Sequence, residues 1–437
     1  MQAAAGLFSG RSDVTDMQGR TAAQSRRTAW LIVFLLFLAQ MLNYFDKTVV
    51  GVAATSIMAE LDLTSERYGL VASAFFSLYA VTGVLVALFA APRFKPRSIM
   101  AVLLVIWSLA QLPVLVSASF TTLIAGRVIL GMGEGPGTPT SINACHEWFA
   151  PAERNMPTAL SLFGSQVGSL LAAPILSYII AGFGWRAAFL ACSAAGFVIL
   201  VLWLRFSADG PEAAHREVGP ATGSSSPIRQ RDLWADPSVI GNFVAGFAAY
   251  WVVGFTVAWL PLFVRNRLGL GLIESGWVLS AIYLVQALLL LLIAFGSQRM
   301  LRAGATSRAA RGIVMASCLL ISAAAFIGAA MATDAHLAVV LVTIGTALPL
   351  VIFTLGAAML SEVSPTAHRN RLVTIIFSIV TLSAIPSPLV TGALVQGDLG
   401  WDRAFLVLAA VTLIGGIISW ATLRPERSIR RLVALEG

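Results

Sequence analysis

Charge is scarce in this chain. Only 11% of its 437 residues are Asp, Glu, Lys or Arg, against about 25% in soluble domains, so a water-soluble globule is excluded. Histidine is equally sparse. The four (His146, His215, His336, His368) fall in loops or at helix ends, which leaves no histidine relay within the apolar spans. The three cysteines (Cys145, Cys192, Cys318) are odd in number and lack CxxC spacing. Neither a disulfide framework nor a metal site is indicated, and no cofactor is expected. The ten-residue alternating segments of a membrane β-barrel are also missing.

What the chain has instead is hydrophobic length. It is 58% hydrophobic, with mean hydropathy +0.84, and apolar runs long enough to cross ~30 Å of hydrocarbon recur throughout. Twelve are read, at 29–57, 66–91, 98–118, 121–148, 155–182, 187–205, 238–264, 274–298, 308–331, 335–362, 371–396 and 402–423. The expected fold class is therefore all-α integral membrane, with twelve transmembrane helices. Most of the 29 Lys and Arg fall on the side of the termini; the exceptions are Arg67, Arg186, Arg265, Arg267 and Arg403 on the other side, and Lys47 and Arg127 within the spans. That asymmetry predicts both termini in the cytoplasm. The polar first 28 residues lack a small-residue cleavage site, so a removed signal peptide is not expected. The net charge of +8 suits an inner rim facing anionic lipid and requires no nucleic acid.

The longest polar stretch, SADGPEAAHREVGPATGSSSPIRQRDLWADP, mixes Gly, Pro, Ser and charge and reads as a linker over 207–237. It separates a six-helix bundle at 29–206 from another at 238–423, with cytoplasmic tails at 1–28 and 424–437. The halves echo one another: PAERN at 151–155 answers PTAHRN at 365–370, and GWRAAF at 184–189 answers GWDRAF at 400–405. Arg154 to Arg369 is 215 residues and Trp185 to Trp401 is 216, so two separate signals share nearly one offset. This points to duplication of a six-helix unit, with a central site between the two copies.

Two ionisable pairs stand inside apolar spans, Asp46-Lys47 and Arg127 with Glu134. Each such group costs about 2.5–3.5 kcal/mol on insertion scales, and that expense marks a site. Counted by helical rise, Asp46, Lys47 and Glu134 all lie ~20 Å from the outer end of their spans. Tyr79 and Gln166 reach a similar depth. Arg127 and Glu134, seven residues apart, share one helix face but sit ~10 Å apart along it. Gly131, Gly133, Gly135, Pro136 and Gly137 would let a neighbouring helix approach closely or let the helix bend.

Twelve spans in a 6+6 repeat resemble the major facilitator superfamily. Within it, NYFDKTVVGVA at 43–53, GRVILGMGEGPGTP at 126–139, EWFAPAERN at 147–155 and GWRAAF at 184–189 are similar to the anion:cation symporter family of galactonate, glucarate and hexuronate permeases and vesicular glutamate transporters. Five positions depart from that pattern. The loop LFAAPRFKPR lacks the superfamily's Gly-x-x-x-Asp-Arg motif, with Leu88, Pro92 and Lys95 in place of Gly, Asp and Gly, which puts a charge relay there in doubt. Lys47 stands where much of the family has Arg, so a point charge replaces a bidentate fork. Thr381 stands where a substrate-facing Asn is common.

The resemblance implies alternating access by two rocking bundles and import of a small organic anion, such as a sugar acid or other carboxylate, coupled to protons. The expected roles are proton coupling at Asp46 and Glu134, biased by Arg127, and substrate charge at Lys47. Further substrate contacts are expected from Tyr44, Tyr79, Gln166, Tyr250, Ser378 and Thr381, and gating from Glu153, Arg154 and Arg369. Asn242, Trp251, Tyr283, Gln286 and Ser387 are further candidates, while Trp185 and Trp401 are read as anchors at the outer interface. A monomer in a bacterial inner membrane is expected. The competing readings are a structural ion-pair network, an exporter of an amphipathic compound by proton antiport, and a transporter-like sensor. An enzyme is disfavoured because no nucleophile-base pair or metal cluster stands in the spans. ATP-driven transport is disfavoured by the lack of GxxxxGK[ST].

Overall fold

The computed structural model describes residues 9–149, 153–210, 233–364, 366–396 and 400–436, with side chains from Arg26 onward except at 366–371, 374 and 432–436. Arg369, His215, His368 and most of the linker read at 207–237 lie outside the residues or side chains described. All regular structure among the described residues is helical. Eleven helices there are long and apolar enough to cross a membrane. They are α1 (Arg26–Glu60), α2 (Ser65–Ala90), α3 (Pro96–Val116), α5 (Asn155–Phe183), α6 (Trp185–Phe206), α7 (Pro237–Ala258), α8 (Leu272–Arg302), α9 (Arg308–Met331), α10 (Ala335–Glu362), α11 (Ile375–Val395) and α12 (Gly400–Thr422).

The remaining expected span, α4, is interrupted. It comprises Phe120–Glu134 and Gly137–His146, separated at Gly135-Pro136. Proline supplies no N–H to the helix ladder and crowds the preceding turn, so the break falls one residue after Glu134. Polar side chains set several helix starts. Ser119 and Thr122 form a reciprocal capping box ahead of α4, Asp236 accepts from Ser238 N at the start of α7, and Asp334 accepts from Leu337 N at the start of α10.

Small residues then set how closely the helices approach. A Cβ at Gly131 would overlap the Phe75 carbonyl and one at Gly135 the Tyr79 carbonyl, so α4 lies directly against the backbone of α2. Gly164 and Gly168 of α5 meet the backbone of α1 at Phe37 and Met41 in the same way. Both pairs have small-xxx-small spacing, the pattern that brings helices together in lipid. The two helices that carry Glu134 and Gln166 are thereby pressed onto those that carry Tyr79 and Lys47.

Among the described residues, the hydrogen bonds that join the first half to the second all lie towards the side away from the chain termini. Tyr68 Oη donates to the Ala258 carbonyl (3.0 Å), Ser73 Oγ to the Ile385 carbonyl (2.7 Å) and Ser280 Oγ to the Leu170 carbonyl (2.7 Å). Trp277 Nε1 donates to Tyr178 Oη (3.4 Å). A cavity lies between the halves at mid-depth. The outward face of α8, with Leu288, Leu291, Leu292 and Phe295, is exposed apolar surface, as suits contact with hydrocarbon.

The repeated GW motifs open α6 and α12, equivalent places in the two halves. Their tryptophans turn inward rather than anchoring an outer rim, which corrects the expectation. Trp185 is buried and donates Nε1–H to Glu60 (2.7 Å). Trp401 packs on Trp259, Phe263 and Phe405.

Candidate functional site

The four intramembrane charges meet, but not in the pairs their sequence order suggests. Lys47 Nζ lies 3.4 Å from Glu134 Oε2 and donates to Asn43 Oδ1 (2.5 Å), one turn earlier on α1. Arg127 points away from Glu134. Its Nη1 donates to the backbone carbonyl of Asp46 (3.0 Å) and its Nη2 to Gln111 Oε1 (3.1 Å), while Gln111 Nε2 donates to Asp46 Oδ1 (2.7 Å). Arg127 and Glu134, set apart by helical rise as expected, belong to two cross-helix sets, Lys47-Glu134 and Arg127-Gln111-Asp46. The reason is geometric: two turns of rise keep Arg127 from Glu134, whereas α1, α3 and α4 converge at the same depth.

The two sets face different surroundings. Asp46, Arg127 and Glu134 are all buried, and Phe189 lies 5.7 Å from the Arg127 guanidinium. Glu134 is buried with Oε2 facing the Lys47 ammonium and Oε1 without a partner among the described residues, and Asp46 is buried with Oδ1 on Gln111 and the Cys192 thiol beside it. Lys47 alone of the four lines the larger cavity.

This cavity, of about 310 Å³, lies between the halves, at the small end of ligand pockets. From the first half it is lined by Tyr44, Lys47, Thr48, Phe76, Tyr79, Gln166 and Ser169, and from the second by Tyr250, Thr256, Tyr283, Gln286, Phe353 and Thr354, among others. The Lys47 ammonium lies 5.2 Å from the Tyr44 ring centroid and 5.5 Å from that of Tyr79, close enough for cation–π attraction. A void of about 10 Å³ lies between Lys47 and Arg127, roughly the space of one water.

Of the substrate contacts expected, Lys47, Tyr44, Tyr79, Gln166 and Tyr250 share this wall. Ser378 and Thr381 do not line it. A 3-10 turn at Thr381–Ala384 returns the Thr381 hydroxyl to the Ser378 carbonyl (2.6 Å). Ser387 likewise donates to the Trp251 carbonyl and Asn242 to that of Gly356; these bonds hold helices together. Tyr283 and Gln286 do reach the cavity.

Arg154 caps α4 by donating to the carbonyls of Phe149 (2.9 Å) and His146 (3.1 Å), and Glu153 is exposed. In the loop between α2 and α3, Lys95 pairs with Asp209 at 2.7 Å, a carboxylate supplied from just after α6. Gln111 and Asn43 were missed in the sequence reading. An amide within an apolar run must find partners, and that signal, applied to Gln166, was present for both.

Twelve helical spans in two halves around a mid-depth polar cavity define a polytopic membrane transporter. The chain belongs to the Major Facilitator Superfamily, whose family model matches residues 36–352 and 303–437. It is similar to a hexuronate transporter of Bacillus subtilis (strain 168), 27% identical over 413 residues covering 92% of this chain and 95% of that one. It is also similar to a probable L-galactonate transporter of Escherichia coli (strain K12), 24% identical over 410 residues, with 90% and 88% covered. The fold matches a bacterial homologue of the human lysosomal transporter Spinster in an inward-facing, unoccupied conformation, with TM-score 0.76 at 17% identity, covering 93% of this chain and 98% of that one. It also matches a D-xylose-proton symporter, with TM-score 0.73 at 15% identity, covering 91% and 99%. The chain is an integral membrane transporter and not an enzyme.

Proposed function

We propose that the protein is a secondary active transporter that carries a small organic anion into the cell in symport with protons. Exposure of Lys47 into the cavity, with Glu134 buried behind it, carries this reading. An incoming carboxylate competes with Glu134 for the Lys47 ammonium. Once that cation is shared, Glu134 is held at lipid depth with less counter-charge, and binding a proton removes the cost. Substrate and proton are then loaded together, and a site carrying no net added charge can pass between the two membrane faces as the bundles rock. Asp46, hydrogen-bonded to Gln111, is the alternative proton site, and Arg127 fixes its position through the backbone. Similarity to transporters of hexuronate and galactonate supports an organic anion.

The geometry favours symport over antiport of an amphipathic cation, because the charge exposed to the cavity is positive. A bacterial inner membrane with both termini cytoplasmic fits the distribution of Lys and Arg. The test is uptake of carboxylates into proteoliposomes with and without an inward proton gradient. Uptake that accumulates above equilibrium only with the gradient, and falls ten- to hundredfold in Lys47→Ala, is expected for loss of a charge-assisted contact of about 1.5–3 kcal/mol. Accumulation that ignores the gradient would overturn symport.

A further inference from the structure

We infer that the carried anion is a monocarboxylate with a flat aromatic body rather than a polyhydroxylated or doubly charged acid; this rests on the organic-anion reading above. Charge count comes first. Lys47 is the one charged side chain on the cavity wall among the described residues. A second carboxylate on the ligand would enter a space bounded by protein at lipid depth with no cation to meet it. Buried anions without a partner are strongly disfavoured. One carboxylate is matched, and two are not.

The shape and chemistry of the wall decide the rest. Four of the chain's six tyrosines, Tyr44, Tyr79, Tyr250 and Tyr283, line this cavity. Tyr250 and Phe353 stand with ring centroids 4.7 Å apart at 58°, a tilted aromatic corner across from the cation. Two of the other hydroxyls have already committed their hydrogens to the protein, and Gln286 one of its two N–H groups. Thr256 Oγ1 donates to the Val252 carbonyl (2.8 Å), Gln286 Nε2 to Thr346 (2.9 Å) and Ser169 Oγ to the Gln166 carbonyl (2.9 Å). A sugar acid needs a partner for each hydroxyl it desolvates. An aryl ring needs ring faces and edges, which this wall presents. The carboxylate then sits at Lys47, between the Tyr44 and Tyr79 rings, with the ring lodged against Tyr250 and Phe353. A single hydroxyl on the ring can be met by a tyrosine Oη.

The experiment is counterflow in proteoliposomes preloaded with benzoate, with 4-hydroxybenzoate, glucuronate, galactonate and terephthalate as competitors, on the wild type and on Tyr250→Leu and Phe353→Leu. Half-inhibition by 4-hydroxybenzoate at a concentration about tenfold below glucuronate and galactonate is expected, the size of one or two aromatic contacts. Terephthalate should compete at least tenfold more weakly than 4-hydroxybenzoate. The leucine variants should raise the half-inhibition by the aromatic acids severalfold and leave that by glucuronate nearly unchanged, a differential that misfolding cannot produce. If a sugar acid competes best, or if the variants weaken all acids equally, the aromatic assignment is overturned while anion transport stands. If terephthalate equals its monoacid analogue, the single-charge argument fails. If preloaded benzoate, glucuronate and galactonate all fail to exchange, the organic-anion reading itself is overturned.

Discussion

In the first half of the molecule, Asp46, Lys47, Arg127 and Glu134 converge at mid-depth on helices pressed together through glycines. At the same depth the second half presents Tyr250, Tyr283, Gln286 and Phe353 and, among the described residues, no charge. The halves carry the GW motif at matching helix starts yet differ in the chemistry they bring to the cavity. Both halves bring ring faces and an amide to the cavity, and the first alone, among the described residues, brings a charge; under the proposed function that charge is where proton and anion compete. Alternating access requires only that both walls meet at one cavity.

The largest break in that division is expected from Glu134→Gln. Proton-driven accumulation should vanish while exchange of substrate persists within about threefold, because the amide keeps the shape near Lys47 but cannot carry the proton. Accumulation surviving in this variant would move coupling to Asp46, and Asp46→Asn would then have to abolish it.

Packing offers the next contrast. A Cβ at Gly131 meets the α2 backbone carbonyl of Phe75, whereas one at Gly246 in the second half meets the Val380 side chain, 3.0 Å away. Gly131→Ala should destabilise by about 1–3 kcal/mol, read as a drop in thermal unfolding temperature in detergent. Gly246→Ala should cost distinctly less, since a side chain can shift where a helix backbone cannot. Equal losses would show that the tight packing belongs to both halves.

The amides come third. Gln111→Ala leaves both Asp46 Oδ1 and an Arg127 nitrogen without this partner, a loss of about 1.5–3 kcal/mol for bonds to charged groups. Gln286→Ala removes one neutral bond to Thr346 and should cost about 1 kcal/mol. Unfolding midpoints of the two variants compare the halves directly. The smallest effect is expected at the surface, where Glu60 pairs with Arg186 with both side chains well exposed. Glu60→Gln should change stability by less than about 1 kcal/mol and lose even that in high salt, unlike any change at Lys47.

The number of spans and the expense of Asp46, Lys47, Arg127 and Glu134 were legible because lipid imposes them residue by residue. An apolar run must be long enough to cross, and a charge within it is conspicuous at any position. The break in α4 was half legible: its glycines and proline announced a bend or a close approach, and both occur. Thr381 was not legible because a helix-forming stretch does not reveal that a 3-10 turn will direct its hydroxyl to the Ser378 carbonyl.

Local rules therefore settled that this chain spans a membrane many times, in the all-helical fold of its family, and that four buried charges need explaining. The partners of those charges were beyond them. Lys47 could have answered Asp46 beside it, and Arg127 could have answered Glu134 on its own helix face; packing of α1, α3 and α4 at one depth selected Lys47-Glu134 and Arg127-Gln111-Asp46 instead. Partner choice depends on distances of a few ångströms between helices far apart in the chain, and only assembly of the bundle sets those.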